Sequence, residues 1–139
     1  MILLDTSGLL SAIDQSQRHH PGCAEALSEA TPPRLLSPFV LAELDYLLGT
    51  RVGEEAQLAL LEEVWRGVYQ LEPFSARDVL AARDIMRRYS TLSIGLADAS
   101  IVVLAERHGT RDVLTLDAQH FRTLRVAGAK RFRMLPGDR

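Results

Sequence analysis

Short apolar runs alternate along this chain with longer segments whose apolar residues have helical spacing. Strands are predicted at residues 2–4, 35–36, 68–71 and 113–116, with an edge strand at 131–134. Helices are predicted at residues 8–14, 21–30, 38–51, 54–66, 76–89, 94–107 and 118–124. Strands that alternate with helices favour a parallel sheet covered on both faces. We therefore predict an α/β fold of three layers, with a parallel sheet of four or five strands.

Local signals mark where several of these helices begin and end. Thr6-Ser7 offers an N-cap for the first helix, and Ser37 followed by Pro38 is a strong start for the third. Ser75 is expected to cap the fifth helix, and Gly109 to end the sixth. Two apolar stripes are expected to pack into the core; they consist of Leu58, Leu61, Val64 and Trp65, and of Val79, Ala82 and Met86.

Length and composition restrict the class of protein. At 139 residues, the chain is expected to form one domain over residues 1–139. Its 47% hydrophobic content excludes intrinsic disorder, and no apolar run is long enough to span a membrane. The single Cys23 has no partner for an internal disulfide, and no signal peptide is visible, so we expect a cytoplasmic protein.

The formal net charge of −2 is unevenly distributed. Residues 118–139 carry +5, whereas residues 1–117 carry −7. A basic end on an acidic body points to an anionic partner, although a solvated surface explains the charge equally well.

Two aspartates directly follow apolar strands. Asp5 comes after the run at residues 2–4, and Asp117 after the run at residues 113–116. Ligands of open parallel sheets bind beyond the carboxyl ends of the strands. If the first and fourth strands are neighbours, the two carboxylates converge at that edge. A plain capping or turn role explains each aspartate equally well when it is considered alone.

Two further carboxylates lie on apolar helix faces. The helical neighbours of Glu43 include Phe39, Val40, Tyr46 and Leu47, so Glu43 is expected to point with the packed face. Asp98 has Ile94, Ile101 and Val102 as neighbours, and residues 90–106 contain no basic side chain that would pair with it. Burial of an unpaired carboxylate is costly, which favours a functional role over a buried Asp bonded to backbone or hydroxyl groups.

The four acids together predict a metal site. Packing of the helices against the edge of the sheet would bring Glu43 and Asp98 to Asp5 and Asp117, and a divalent cation would relieve their repulsion. Carboxylate oxygens without Cys or His favour Mg²⁺ or Mn²⁺. The hydroxyls available to orient the carboxylates belong to Thr6, Ser7 and Thr115.

These residues lie in segments that resemble the PIN-domain nuclease family, in particular the VapC-type toxins of bacterial VapBC modules. The resemblance covers nearly the whole chain, and its motifs are Leu4-Asp5-Thr6-Ser7, Leu41-Ala42-Glu43-Leu44, Leu96-Ala97-Asp98-Ala99-Ser100-Ile101, and Leu114-Thr115-Leu116-Asp117 followed by Phe121. It implies a Mg²⁺- or Mn²⁺-dependent ribonuclease with Asp5, Glu43, Asp98 and Asp117 as its acidic quartet. It also implies a homodimer and a cognate VapB-type antitoxin that fills or distorts the acidic pocket.

The resemblance leads to two expectations about how partners bind. An acidic pocket repels RNA, so basic groups must surround it, and the candidates that follow Asp117 are Arg122, Arg125, Lys130 and Arg131. Trp65 is expected in the core; its functional alternative is a groove that receives an antitoxin helix or a dimer partner.

Other functions stay open at this stage. A PIN nuclease of RNA maturation without an antitoxin would share the site, and a catalytically silent nucleic-acid-binding module is disfavoured because all four acids are present. A phosphatase with an aspartyl nucleophile would have Asp-x-Asp after the first strand, but position 7 is Ser7. The identity of the RNA, whether transfer, ribosomal or messenger, does not follow from the sequence.

Overall fold

Seven helices and seven short strands make up the computed structural model, which describes residues 1–139. The helices are Thr6–Ile13 (α1), His20–Glu29 (α2), Pro38–Arg51 (α3), Glu54–Trp65 (α4), Ala76–Arg88 (α5), Leu96–His108 (α6) and Ala118–Phe121 (α7). The strands are Ile2–Leu4 (β1), Arg34–Leu36 (β2), Gln70–Leu71 (β3), Asp112–Leu114 (β4), Arg125–Val126 (β5), Lys130–Arg131 (β6) and Arg133–Leu135 (β7).

Five of the strands form one parallel sheet in the order β3-β2-β1-β4-β7. The prediction of a parallel α/β sheet is confirmed, with five strands. Leu3 pairs with Leu35 of β2 on one side and with Val113 of β4 on the other, so the first and fourth strands are neighbours. The order of the strands reverses between β1 and β4. Such a reversal opens a crevice for ligands at the carboxyl ends of the strands.

The packing around β1 fixes the walls of this crevice. Successive side chains of a strand point to opposite faces, yet Ile2, Leu3 and Leu4 are each at most 1% exposed, so both faces of the sheet are covered. α1 approaches the sheet so closely that a Cβ atom on Gly8 would lie 2.3 Å from the carbonyl oxygen of Leu114. Glycine at this position therefore lets the first turn of α1 rest directly on β4.

Most elements begin or end within three residues of the predicted bounds, and two of these differences concern the crevice. α1 begins at Thr6 rather than at residue 8, and Asp5 occupies the N-cap position instead of Thr6-Ser7. β4 ends at Leu114 rather than at residue 116 because the amide of Leu116 donates to the Ser7 hydroxyl (3.0 Å) and leaves the ladder. The bond between Leu116 and Ser7 ties the segment after β4 to the first turn of α1.

Both predicted apolar stripes are wrong in part. Trp65 is 87% exposed and Leu58 is 56% exposed, whereas Leu60 is the buried residue of α4. In α5, Ala82 is buried as expected, but Val79 is 42% exposed. Of the four residues in the α4 stripe, Val64 packs partly against the core, and the other three are left uncovered by this chain.

Several helix signals are confirmed. The Ser37 hydroxyl accepts from the amide of Phe39 (3.1 Å), and Ser75 forms a reciprocal capping box with Asp78. Gly109 ends α6 in the left-handed conformation, with φ of 66°. None of the helices combines the length and apolarity needed to cross a membrane.

Candidate active site

A cleft of about 410 Å³ opens at the carboxyl ends of β1 and β4. Asp5 enters it directly after β1, and Asp117 enters it after β4. α3 contributes Glu43, and the first turn of α6 contributes Asp98. The structure therefore brings together all four carboxylates that the sequence singled out.

Asp5 is the most deeply placed of the four acids. It is 5% exposed, and its Oδ2 atom accepts from Thr115 Oγ1 at 2.7 Å and from Ser7 Oγ at 2.8 Å. Its side chain does not cap α1, so a capping role does not explain it. Burial raises the pKa of Asp5 despite the two hydroxyl hydrogen bonds, and the charge of Asp117 acts in the same direction.

Hydroxyl groups link the carboxylates to the backbone behind them. Thr6 Oγ1 donates to Glu43 Oε1 at 2.7 Å. Besides its bond to Asp5, Thr115 accepts from the amide of Asp117 at 3.0 Å. The Ser7 Oγ atom lies 3.3 Å from Thr115 Oγ1, so these two hydroxyls and the Asp5 carboxylate form one connected network, beside the Thr6–Glu43 pair. This network restricts how the carboxylates turn toward the cleft.

Glu43 is exposed, contrary to the prediction that it points with the packed face of α3. The residues of α3 that are buried are Val40, Leu44 and Leu48, and Glu43 lies beside this stripe, at the wall of the cleft. Tyr46, which was counted as a packed neighbour, is 68% exposed. Phe39, Val40 and Leu47 do pack against the core, but Glu43 lies at the edge of this stripe, so apolar neighbours did not indicate its burial.

Asp98 is half-buried, with its side chain 16% exposed. Burial raises its pKa to about 6, and the negative charge of Asp5 adds to this effect, followed by smaller contributions from Asp117 and Glu43. The imidazole of His120 acts in the opposite direction. The raised pKa of Asp98 therefore reflects its burial first and its repulsion by the neighbouring carboxylates second.

His120 completes the acidic cluster, although the sequence analysis did not identify it. Its Nδ1 atom lies 3.0 Å from Oδ2 of Asp98 and 2.9 Å from Oδ2 of Asp117. This nitrogen is buried, and the angles do not allow a hydrogen bond to either carboxylate. The one signal in the sequence is its position three residues after Asp117, which places both on one face of a helical turn.

Asp117 has two roles in this arrangement. Its Oδ1 atom accepts from the amide of His120 (3.1 Å) and so caps the short helix α7, which confirms the capping role that the sequence offered for Asp117. Its Oδ2 atom faces the cluster at the same time. Donor atoms of Asp98, Asp117 and His120 all lie within 4.8 Å of one another.

The donor set of this cleft fits a divalent cation. It consists of carboxylate oxygens, the preferred ligands of hard cations, and one buried imidazole nitrogen without a hydrogen-bond partner. Burial and repulsion raise the pKa of both Asp5 and Asp98, which is the electrostatic situation that a cation relieves.

The basic residues predicted to contact RNA lie outside the cleft. Arg122 is engaged by Asp138 through two hydrogen bonds of 2.8 and 2.6 Å, and the Arg125 guanidinium donates to carbonyls of its own turn. Lys130 and Arg131 are exposed on β6, which pairs only with β5. The cleft is instead lined by Arg51, at the end of α3, and by Gln17. Neither was identified from the sequence, because only the packing of α3 brings Arg51 to the acids.

Comparison with known proteins agrees with this geometry. Residues 2–126 match the PIN-domain family. A curated relative, Ribonuclease VapC26 of Mycobacterium tuberculosis, is 42% identical over 135 residues, which are 97% of this chain and 100% of the relative.

Two solved structures have a similar fold. The crystal structure of the Mycobacterium tuberculosis toxin VapC20, described as cleaving the sarcin–ricin loop, has a TM-score of 0.79 at 21% identity and covers 84% of this chain and 90% of its own. The crystal structure of FitAcB from Neisseria gonorrhoeae has a TM-score of 0.61 at 22% identity, and the match covers 96% of this chain and 97% of the FitAcB chain. With the family match and the VapC26 relationship, these likenesses lead to one conclusion: the chain belongs to the PIN-domain family and is of the VapC type.

Proposed function

We propose that this chain is a metal-dependent endoribonuclease that acts as the toxin of a type II toxin–antitoxin module. The observation that carries the proposal is the convergence of Asp5, Glu43, Asp98 and Asp117 in one cleft at the β1/β4 reversal. The relationship to Ribonuclease VapC26 over nearly the whole chain supports the choice of RNA as substrate.

The four carboxylates are the residues that would hold the cation, which we propose to be Mg²⁺ or Mn²⁺. Such a cation, when bound, activates water and stabilises the negative charge that develops on the phosphate. The neighbouring hydroxyl groups of this chain hold the carboxylates in position for the cation. Thr115 and Ser7 fix one oxygen of Asp5, and Thr6 fixes one oxygen of Glu43, so each carboxylate keeps its other oxygen available to the cleft.

Arg51 is proposed to hold an RNA phosphate at the mouth of the cleft. The interior of the cleft is acidic and repels a polyanion, so productive binding needs a cationic side chain nearby. Arg51 is the arginine among the residues that line the cleft, and its exposed side chain has no ion pair within the chain. A guanidinium binds phosphate oxygens in a bidentate manner and positions the backbone of the RNA.

The exposed apolar face of α4 is proposed to bind the cognate antitoxin. Leu58, Leu61 and Trp65 recur at helical spacing and are 56%, 43% and 87% exposed. Glu62 lies on the same face, four residues after Leu58, and adds negative charge. This combination fits an apolar partner segment that also carries basic residues, and aromatic anchors of this kind dominate interface energies. A homodimer is proposed as well, and sedimentation equilibrium of the isolated chain tests it.

Expression in a bacterial host tests the toxin function. Induction of the wild-type chain is expected to arrest growth, and Asp98→Asn is expected to remove the arrest because it changes a proposed ligand. Co-expression of the small gene immediately upstream is expected to restore growth. A chain that cleaves RNA but is not neutralised by any neighbouring gene product would instead indicate a PIN nuclease of RNA processing. A chain that binds RNA without cutting it would indicate a silent binding module.

A further inference from the structure

His120 differs from the acids around it in chemistry and in environment. Its Nδ1 atom is the buried polar atom of the cluster that has no hydrogen-bond partner, although two carboxylate oxygens lie within 3.0 Å. A buried donor or acceptor without a partner is uncommon in a native protein and costs free energy. An atom held in this way can bind a cation that the two carboxylates also bind.

Two of the distances among the three donor atoms match the spacing of adjacent ligands around one cation. In an octahedral site with ligand distances of about 2.1 Å, adjacent donor atoms lie about 3.0 Å apart. The nitrogen of His120 lies 3.0 Å from the oxygen of Asp98 and 2.9 Å from that of Asp117. The ring therefore stands where a ligand adjacent to both carboxylates would stand.

Local structure holds the ring in this place. Its backbone amide donates to Asp117 Oδ1, which caps the helical turn that carries His120. The next residue, Phe121, is 1% exposed and packs edge-to-face against Phe132 with ring centroids 5.3 Å apart. Both ends of the turn are thus fixed, by the cap and by the aromatic pair, and the imidazole has little freedom to leave the cluster.

Nitrogen and oxygen donors select different divalent cations. Mg²⁺ binds almost entirely through oxygen ligands, whereas imidazole is a favourable ligand for transition-metal ions. We propose that His120 Nδ1 is a direct metal ligand beside Asp98 and Asp117, and that it makes the cleft prefer Mn²⁺ to Mg²⁺. This inference rests on the proposed metal-dependent function and adds to it a nitrogen ligand and a metal preference.

Metal binding to the full chain, purified without a histidine tag, tests the proposal. MnCl₂ and MgCl₂ are titrated separately by calorimetry into the wild type, His120→Ala and His120→Asn. The second variant places an amide where the imidazole nitrogen stood and so preserves polar character if the alanine variant folds poorly. Electron spin echo modulation of the Mn²⁺-loaded chain detects a directly bound nitrogen. His19→Ala is the matched control because His19 is exposed and lies outside the cleft.

The expected result is specific to one metal. Both His120 variants should weaken Mn²⁺ binding by about tenfold or more while changing Mg²⁺ binding by less than about threefold. The nitrogen modulation should be present in the wild type and His19→Ala and absent from both His120 variants. Nitrogen modulation that persists in those variants, or an unchanged ratio of the two affinities, would overturn the proposal.

An Asp98→Asn variant separates this inference from the function on which it rests. If it weakens the binding of both metals while the His120 variants change neither, the carboxylate site is retained and the role of His120 is refuted. If the wild type binds no metal, or if Asp98→Asn changes neither affinity, the proposed metal site itself is wrong, and the ligand role of His120 is rejected with it.

Discussion

Replacement of Asp98 by asparagine is expected to stabilise the metal-free chain while it removes activity. The half-buried carboxylate of Asp98 lies near three other acids, and burial together with the charge of Asp5 raises its pKa to about 6. Asparagine has nearly the same shape and carries no charge. The substitution therefore removes repulsion from a cleft that is built to hold a cation.

The size of the effect follows from the pKa. A rise from 3.8 to about 6 is a shift of about 2 units, which corresponds to about 3 kcal/mol of disfavoured ionisation in the folded chain. Two effects reduce the stability gained by the substitution. The Asp98 side chain is 16% exposed, so solvent screens part of the repulsion, and asparagine loses the attraction to His120. We expect Asp98→Asn to raise the free energy of unfolding by about 1–2 kcal/mol, or the Tm by about 3–8 °C.

The size of this stability difference depends on pH. Because the folded chain holds the Asp98 proton more tightly than the unfolded chain does, stability decreases as pH rises from about 4 to about 6 and the penalty is complete above that range. The variant should therefore exceed the wild type at pH about 7.5, and the difference should vanish near pH about 4.

Thermal unfolding in the presence of EDTA, followed by circular dichroism, measures this difference. Asp84→Asn is the control because Asp84 is exposed on α5 and pairs only with its neighbour Arg83. Addition of Mn²⁺ should raise the Tm of the wild type and of the control, but not that of Asp98→Asn. A marked loss of stability for Asp98→Asn in EDTA at neutral pH would refute the reasoning and assign Asp98 a structural role.

Three further predictions follow from the packing and the surface. Gly8→Ala places a Cβ atom 2.3 Å from a backbone carbonyl of β4 and should cost about 2–3 kcal/mol in chemical unfolding, whereas Gly95→Ala, with no atom within 4 Å, should cost less than about 1 kcal/mol. Arg51→Ala should raise the KM for RNA by about three- to tenfold with little change in kcat, and an equal effect of the exposed Arg87→Ala would contradict a local phosphate contact. The emission of Trp65, the only tryptophan, should shift to shorter wavelength when the antitoxin is added, and an unchanged spectrum in a formed complex would place the antitoxin elsewhere.

The sequence predicted the parts of the site that depend on local pattern and strand order. Asp5 and Asp117 each follow a short apolar run, and the parallel pairing of β1 with β4 is enough to bring them to one edge. The same reasoning identified Thr115 and Ser7, whose hydroxyls lie within two residues of these acids and contact Asp5. These positions follow from where the two strands end and from the topology of the sheet.

The parts that depend on contacts between distant segments were not predictable in this way. Glu43 has apolar neighbours on its helix, most of which are packed, but the tertiary fold leaves Glu43 itself exposed at the wall of the cleft. His120 meets Asp98 only because α7 and α6 pack at the same corner. Arg122 was a plausible RNA contact by charge alone, yet Asp138 already engages it. Charge and spacing indicate candidates, and packing decides which of them reach the cleft.

Cleavage of total RNA by the purified, antitoxin-free chain tests the central proposal most directly. The wild type and the Asp84→Asn control are expected to give discrete fragments with Mg²⁺ or Mn²⁺ and none with EDTA, while folded Asp98→Asn gives none under either condition. The fragment ends would then identify the RNA and the cleaved bond. Cleavage that persists in EDTA or in Asp98→Asn, or no cleavage by the folded wild type with either metal, would contradict a metal-dependent ribonuclease site at these four carboxylates.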